Sequence, residues 1–141
     1  MYRKILIATD GSPSGSLAVT HGIGLAKLHG ASVDAVYVIT PLGEGIDFYR
    51  TDELDKALSR EAEGVMAAVM EEGGKNGVET KPHVLAGEPE DEIVKFADTN
   101  GTDLIVMGSH GHKGFVKLLI GSVAERVIGH AHCPVLVLKH R

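Results

Sequence analysis

The chain has 141 residues, 43% of them hydrophobic, with a formal net charge of −5 and one cysteine, Cys133. The length suits one compact domain spanning 1–141. The acidic balance argues against a nucleic-acid partner, which needs a basic face, and a lone cysteine rules out an internal disulfide and fits a reducing cytoplasm.

No apolar run reaches the roughly 18 residues of a membrane span. The first apolar run, Ile5–Ala8, is shorter than the core of a signal peptide. In chain order, Lys4–Thr9 reads as a buried strand. "DGSPSGS" follows as a turn and helix start, rich in Ser, Asp and Pro signals. Leu17, Ala18, His21, Leu25 and Leu28 then recur at helical spacing, and Gly30 ends that helix. Val33–Ile39 is a second strand, and Thr40–Arg50 a polar connection containing glycine. Leu54, Leu58, Val65 and Val69 mark the core face of a long helix that stops at "GGKNG", Gly73–Gly77.

Val78–Leu85 is a weaker strand in which Pro82 predicts an edge position or a bulge. The next helix has Pro89 in its first turn, with Glu90, Asp91 and Glu92 complementing the helix dipole. Ile93, Phe96 and Ala97 face inward and Gly101 closes it. Leu104–Met107 is another buried strand, Ser122–Ile128 is helical with Val127 and Ile128 in the core, and Pro134–Leu138 is the last strand. Strands with continuous apolar runs alternating with amphipathic helices predict an α/β fold: an open parallel sheet with helices on both faces.

Ligands of such sheets bind beyond the carboxyl ends of the strands, where strand order reverses. Two loops there carry suitable chemistry, Asp10–Ser14 and Gly108–Gly114. Gly108, Gly111 and Gly121 with Ser122 bracket one apolar run. Glycines let main-chain N–H groups converge on an anion, and a helix starting at Gly121–Ser122 adds its own N–H groups and positive dipole end. A phosphate chain fits such a seat. A second reading fits equally: Gly108 and Gly111 form a tight turn, and Ser122 with Glu125 forms a capping box. Neither a Walker P-loop nor a G-x-G-x-x-G fingerprint is present, since "GIG" at Gly22–Gly24 lies within a helical pattern.

The spacing Gly108-x2-Gly111-x9-Gly121-Ser122 resembles the G-2x-G-9x-G-[S/T] motif of ATP-binding universal stress proteins at every specified position. "ILIATDGSPSG", "DLIVMGSHG" and "HCPVLVL" are similar to the same family, in the right order, so the resemblance covers essentially the whole chain. It implies a Rossmann-like, five-stranded parallel sheet of order 3-2-1-4-5 with ATP, alone or with Mg²⁺, at the carboxyl ends of strands one and four. It also implies roles: Asp10 on the ribose hydroxyls, Val38 holding adenine through its backbone, and Ala8 and Thr9 flanking the base. Met107 and Gly108 line the phosphate path. Gly111, Gly121 and Ser122 hold the phosphates with a main-chain donor from Val123. Homodimerisation through Pro134–Leu138 is a further implication. The chain departs from many members at Gly15, where they carry serine, and in the Thr40–Arg50 connection.

Asp10 also fits an N-cap or Asx-turn at the helix start. A phosphoacceptor role would need a second aspartate at the end of the third strand, where Ala86 stands. His110 and His112 could meet phosphate oxygens, with His110 the stronger candidate, and Lys113 and Lys117 could neutralise phosphate charge. "HAHC", with His130, His132 and Cys133, invites a metal reading, but three or four ligands must converge, and Cys133 reads as a small buried residue. Together with the resemblance, which implies a role in the stress response, these residues are read as those of a nucleotide-dependent regulatory protein. The alternative is a slow ATPase or phosphotransferase at the same site, with His110 the one tempting catalytic group.

Overall fold

The computed structural model describes residues 1–40, 52–110 and 120–140. The elements run β1 (Lys4–Ala8), α1 (Pro13–His29), β2 (Ser32–Ile39), α2 (Asp52–Lys75), β3 (Thr80–Ala86), α3 (Pro89–Asn100), β4 (Leu104–Gly108), α4 (Ser122–His130) and β5 (Val135–Leu138). All strands are parallel, in the order β3-β2-β1-β4-β5. The order places β1 and β4 side by side, where the winding direction reverses, as the family resemblance implied.

Alternation along the strands sorts the core into two faces. Ile5, Ile7, Val33 and Val106 pack beneath α1, while Ala35 and Tyr37 meet Ala62, Met66 and Val69 of α2. On the other face Leu6, Ala8, Val36, Ile105 and Met107 pack against Ile93 and Ala97 of α3 and Ala124 and Val127 of α4. Pro82 lies on β3, an edge strand, so its missing N–H interrupts no central ladder.

Several sequence expectations need correction. The buried face of α1 is not the leucine stripe: of the periodic set Ala18 is buried, Leu17 and Leu25 are half-buried, His21 is exposed and Leu28 is 79% exposed, whereas Ser14, Gly15, Gly22, Ile23 and Ala26 are buried. Small residues win there because α1 lies close on the sheet. A Cβ on Gly22 would stand 2.5 Å from Cδ1 of Ile7. In α2 the stripe shifts similarly. Val69 is buried as expected, but Leu54 is exposed and Leu58 and Val65 are half-buried, and the other buried positions are Ala62, Met66 and Gly73. That helix also runs through Gly73 and Gly74 to Lys75 before it stops. Val127 is buried in α4, but Ile128 is 47% exposed because only one side of this short helix meets the sheet. Cys133 is half-buried, and burial pushes its thiol pKa up. Among the described residues, no helix is long and apolar enough to cross a membrane.

Candidate functional site

At the carboxyl end of the sheet, register aligns Val36 of β2, Ala8 of β1 and Met107 of β4 in one row. These side chains floor a cleft of about 540 Å³, a volume in the range of small-molecule sites. Ile93 and Pro89 of α3 and Leu58 of α2 add apolar wall. The last bond between β1 and β2 is Thr9 N–H to the carbonyl of Val36, at 3.1 Å. Val38 lies two residues further along the same side of β2, so its main-chain polar groups face the gap where β1 has turned away.

Asp10 opens the turn into α1. Its Oδ1 accepts from the N–H of Ser12 at 2.9 Å, an Asx-turn. Ser12 is the N-cap of α1, its hydroxyl accepting from Gly15 N–H at 3.2 Å. Asp10 thus has the local turn role as well as a place on the cleft wall, where it is the one acidic residue among the described lining residues. Beneath it, Tyr37 is buried, and its phenol pKa is raised, first by burial and then by the charges of Glu61 and Asp10.

Across the cleft, β4 passes into residues packed hard against α1. A Cβ on Gly108 would lie 2.7 Å from the carbonyl carbon of Ser14 and 2.8 Å from the nitrogen of Gly15. Only glycine allows that approach. The carbonyl of His110 accepts from the hydroxyl of Ser12 at 3.3 Å and from that of Ser14, and the Ser14 hydroxyl also accepts from His110 N–H at 3.3 Å. Ser12 and Ser14, at the start of α1, therefore hold the main chain of His110 in place.

The start of α4 differs from the capping-box reading. Its N-cap is Gly121, with φ −65° and ψ 159°, a residue with no side chain to make a cap bond. Ser122 is already the first helical residue, so its hydroxyl cannot serve as the cap, and it is exposed. Glycine is needed at 121 for close approach: its N–H donates to the carbonyl of Ser109 at 2.7 Å, and a Cβ would stand 2.7 Å from that same oxygen. Gly121, Ser122, Val123 and Ala124 line the cleft, so the positive end of α4 meets it.

Of the sequence-predicted site residues, Ala8, Thr9, Asp10, Val38, Met107, Gly108, His110, Gly121, Ser122 and Val123 all line this one cleft. Gly111, with His112, Lys113, Lys117 and the connection at 41–51, lies outside the described residues. Sequence reasoning missed Val36, Leu58, Ile93 and Ser109. Val36 could have been found from its i, i+2 relation to Val38, whereas Ile93 and Leu58 arrive only through helix packing. The histidines of "HAHC" are engaged separately: His130 Nδ1 with the carbonyl of Arg126 at 2.8 Å, and His132 Nδ1 with Asp98 at 3.1 Å. A second hollow, about 520 Å³, lies between α1 and α2 and shares Thr9 with the first.

A parallel sheet of this order, with a cleft at its switch point lined by the glycine-capped start of α4 and by Asp10, is a Rossmann-like α/β architecture, whose ligands bind beyond the carboxyl ends of the strands. A profile of the Universal stress protein family matches residues 1–139. The chain therefore belongs to the universal stress protein family. Universal stress protein MJ0531 of Methanocaldococcus jannaschii is 42% identical over 142 residues, covering 99% of this chain and 83% of that protein. MJ0577 of the same organism is 32% identical over 158 residues, covering 100% of this chain and 97% of the relative. Its solved structure superposes with a TM-score of 0.86 at 35% identity, over 100% of this chain and 98% of that one. The universal stress protein from Archaeoglobus fulgidus in complex with dAMP superposes with a TM-score of 0.72 at 28% identity, covering 98% of each chain.

Proposed function

We propose that the chain is a single nucleotide-binding domain that binds ATP and acts as a nucleotide-dependent regulatory module of the cytoplasmic stress response. The observation that carries this reading is the α4 N-terminus. A glycine stands where a serine or aspartate would cap the helix, and that end opens on a cleft that Asp10 also lines. Such an end favours an anion. The relative whose structure was solved in complex with dAMP supports an adenine nucleotide as the ligand class.

In this reading Asp10 accepts from the ribose hydroxyls, and the main chain of Val38 meets the adenine edge between Ala8 and Thr9. Met107 and Gly108 border the phosphate path. Gly111, Gly121 and Ser122, with the N–H of Val123, hold the phosphates, and His110 adds a donor. Mg²⁺ accompanying the nucleotide would neutralise phosphate charge, and Asp10 is the one carboxylate among the described lining residues that could contribute to holding it. β5 is an edge strand of half-buried apolar residues, which supports pairing of Pro134–Leu138 with a second copy in a homodimer.

Calorimetric titration with ATP, GTP and adenosine tests the proposal. ATP should bind most tightly, and Asp10→Ala should weaken it by roughly tenfold. Failure of ATP to bind the purified chain would overturn the proposal. Release of phosphate from bound ATP, reduced in His110→Ala, would instead favour a slow ATPase.

A further inference from the structure

Ser109 follows β4 and is 2% exposed. Each of its polar groups is engaged. Its N–H donates to the carbonyl of Leu138 at 2.8 Å and its carbonyl accepts from Gly121 N–H at 2.7 Å. Its hydroxyl lies 3.1 Å from Nδ1 of His110. Among the described residues that ring nitrogen is the only partner of the hydroxyl. A buried hydroxyl proton left without an acceptor is costly. The proton therefore goes to Nδ1, which makes Nδ1 the acceptor and leaves the proton of the neutral imidazole on Nε2.

The opposite edge of the ring carries Cδ2 and Nε2, and it runs beside the start of α4. A Cβ built on Gly121 would lie 3.5 Å from Cδ2. The main chain of His110 is clamped by Ser12 and Ser14, so the ring's attachment point is fixed too. One buried hydroxyl thus sets both the tautomer of the imidazole and the edge it shows to the uncapped helix end.

We propose that Ser109 is a positioning residue: its hydroxyl holds His110 in the Nε2–H form, with that donor beside Gly121 and aimed at the phosphate chain. The inference rests on the nucleotide reading above and deepens it, because it gives the donor role of His110 to a residue pair. It predicts selectivity for phosphorylated over unphosphorylated ligand, a property that simple burial of Ser109 would not provide.

The test titrates ATP and adenosine into the wild-type chain, Ser109→Ala, His110→Ala and the double variant. ATP affinity should fall about tenfold in His110→Ala and about fivefold in Ser109→Ala, with adenosine affinity unchanged. The double variant should bind ATP no more weakly than His110→Ala alone, since the hydroxyl acts only through the ring. Long-range ¹H–¹⁵N spectra of the wild-type chain should place the His110 proton on Nε2, and of Ser109→Ala should show a mixture of tautomers. Equal losses for ATP and adenosine, or additive losses in the double variant, would overturn the role of Ser109 while leaving the nucleotide site standing. If Ser109→Ala fails to fold, the wild-type spectrum decides, and a proton on Nδ1 overturns the role. A wild-type chain that does not bind ATP would overturn the nucleotide reading itself, and the role with it.

Discussion

Helices α1 and α4 both begin at the carboxyl ends of neighbouring central strands, and their N-termini are finished in opposite ways. α1 closes itself: Asp10 accepts from the N–H of Ser12, and the hydroxyl of Ser12 accepts from Gly15 N–H. α4 carries Gly121 as its N-cap, a residue that has no side chain to close it. A third helix offers a middle case. The cap residue of α3, Glu88, makes no side-chain cap bond, but Glu90, Asp91 and Glu92 crowd its first turn. The Glu90 carboxyl pKa is held below the usual range, first by its own backbone N–H and then by Arg126 at 2.6 Å. The free N–H groups of a helix start can be satisfied by a cap, by carboxylates, or by a bound anion. Only the last choice leaves a site.

The comparison breaks most severely if the two helix starts are forced apart. Gly108→Ala puts a Cβ against main-chain atoms of Ser14 and Gly15 that cannot rotate away. It should cost about 3 kcal/mol of stability, read as a lower urea midpoint, and nucleotide binding should go with it. A smaller effect should come from giving α4 the cap that α1 has. Gly121→Ser crowds the carbonyl of Ser109 and offers the helix an internal acceptor. ATP affinity should fall at least about tenfold, roughly 1.4 kcal/mol, with the circular dichroism spectrum retained. Unchanged affinity would mean that the missing cap is incidental.

Removing the cap of α1 should hurt stability first. Ser12→Ala should lower it by about 1 kcal/mol, and a change in ATP affinity larger than the stability change would show that α1 also serves the ligand. The smallest effect concerns α3. A carboxyl whose folded pKa is depressed contributes stability that is present above its unfolded value and is lost as pH falls through the folded one. Glu90 should therefore stabilise the chain at neutral pH, and that contribution should decline as pH falls below the ordinary carboxyl range and through the depressed folded value. Glu90→Gln should cost about 0.3 kcal/mol at pH 7, given the exposed Arg126 partner, and less at pH 3. Paired urea titrations at the two pH values check it.

The site was legible where chemistry and chain punctuation coincide. Asp10, Gly108, Gly121 and Ser122 stand at strand ends or helix starts, positions that turn residues announce. The capping box at Ser122 and Glu125 was misleading because an S-x-x-E spacing does not say where the helix begins. The helix starts one residue earlier than that reading needs, with Gly121 tied to Ser109. The leucine stripe of α1 misled for a similar reason. Periodicity reports amphipathicity, whereas the distance between helix and sheet decides whether leucine or glycine fits.

By itself the sequence determined the element order, the parallel sheet with covered faces, and the end of that sheet where a ligand would sit. These follow from hydrophobic period and turn chemistry, which are local. Tertiary structure alone decided which face of α1 is buried, which residue caps α4, and that Ser109 meets His110, Gly121 and Leu138 at once. Those are close contacts between segments distant in the chain, and the packing distance that selects them is written in no single stretch of it.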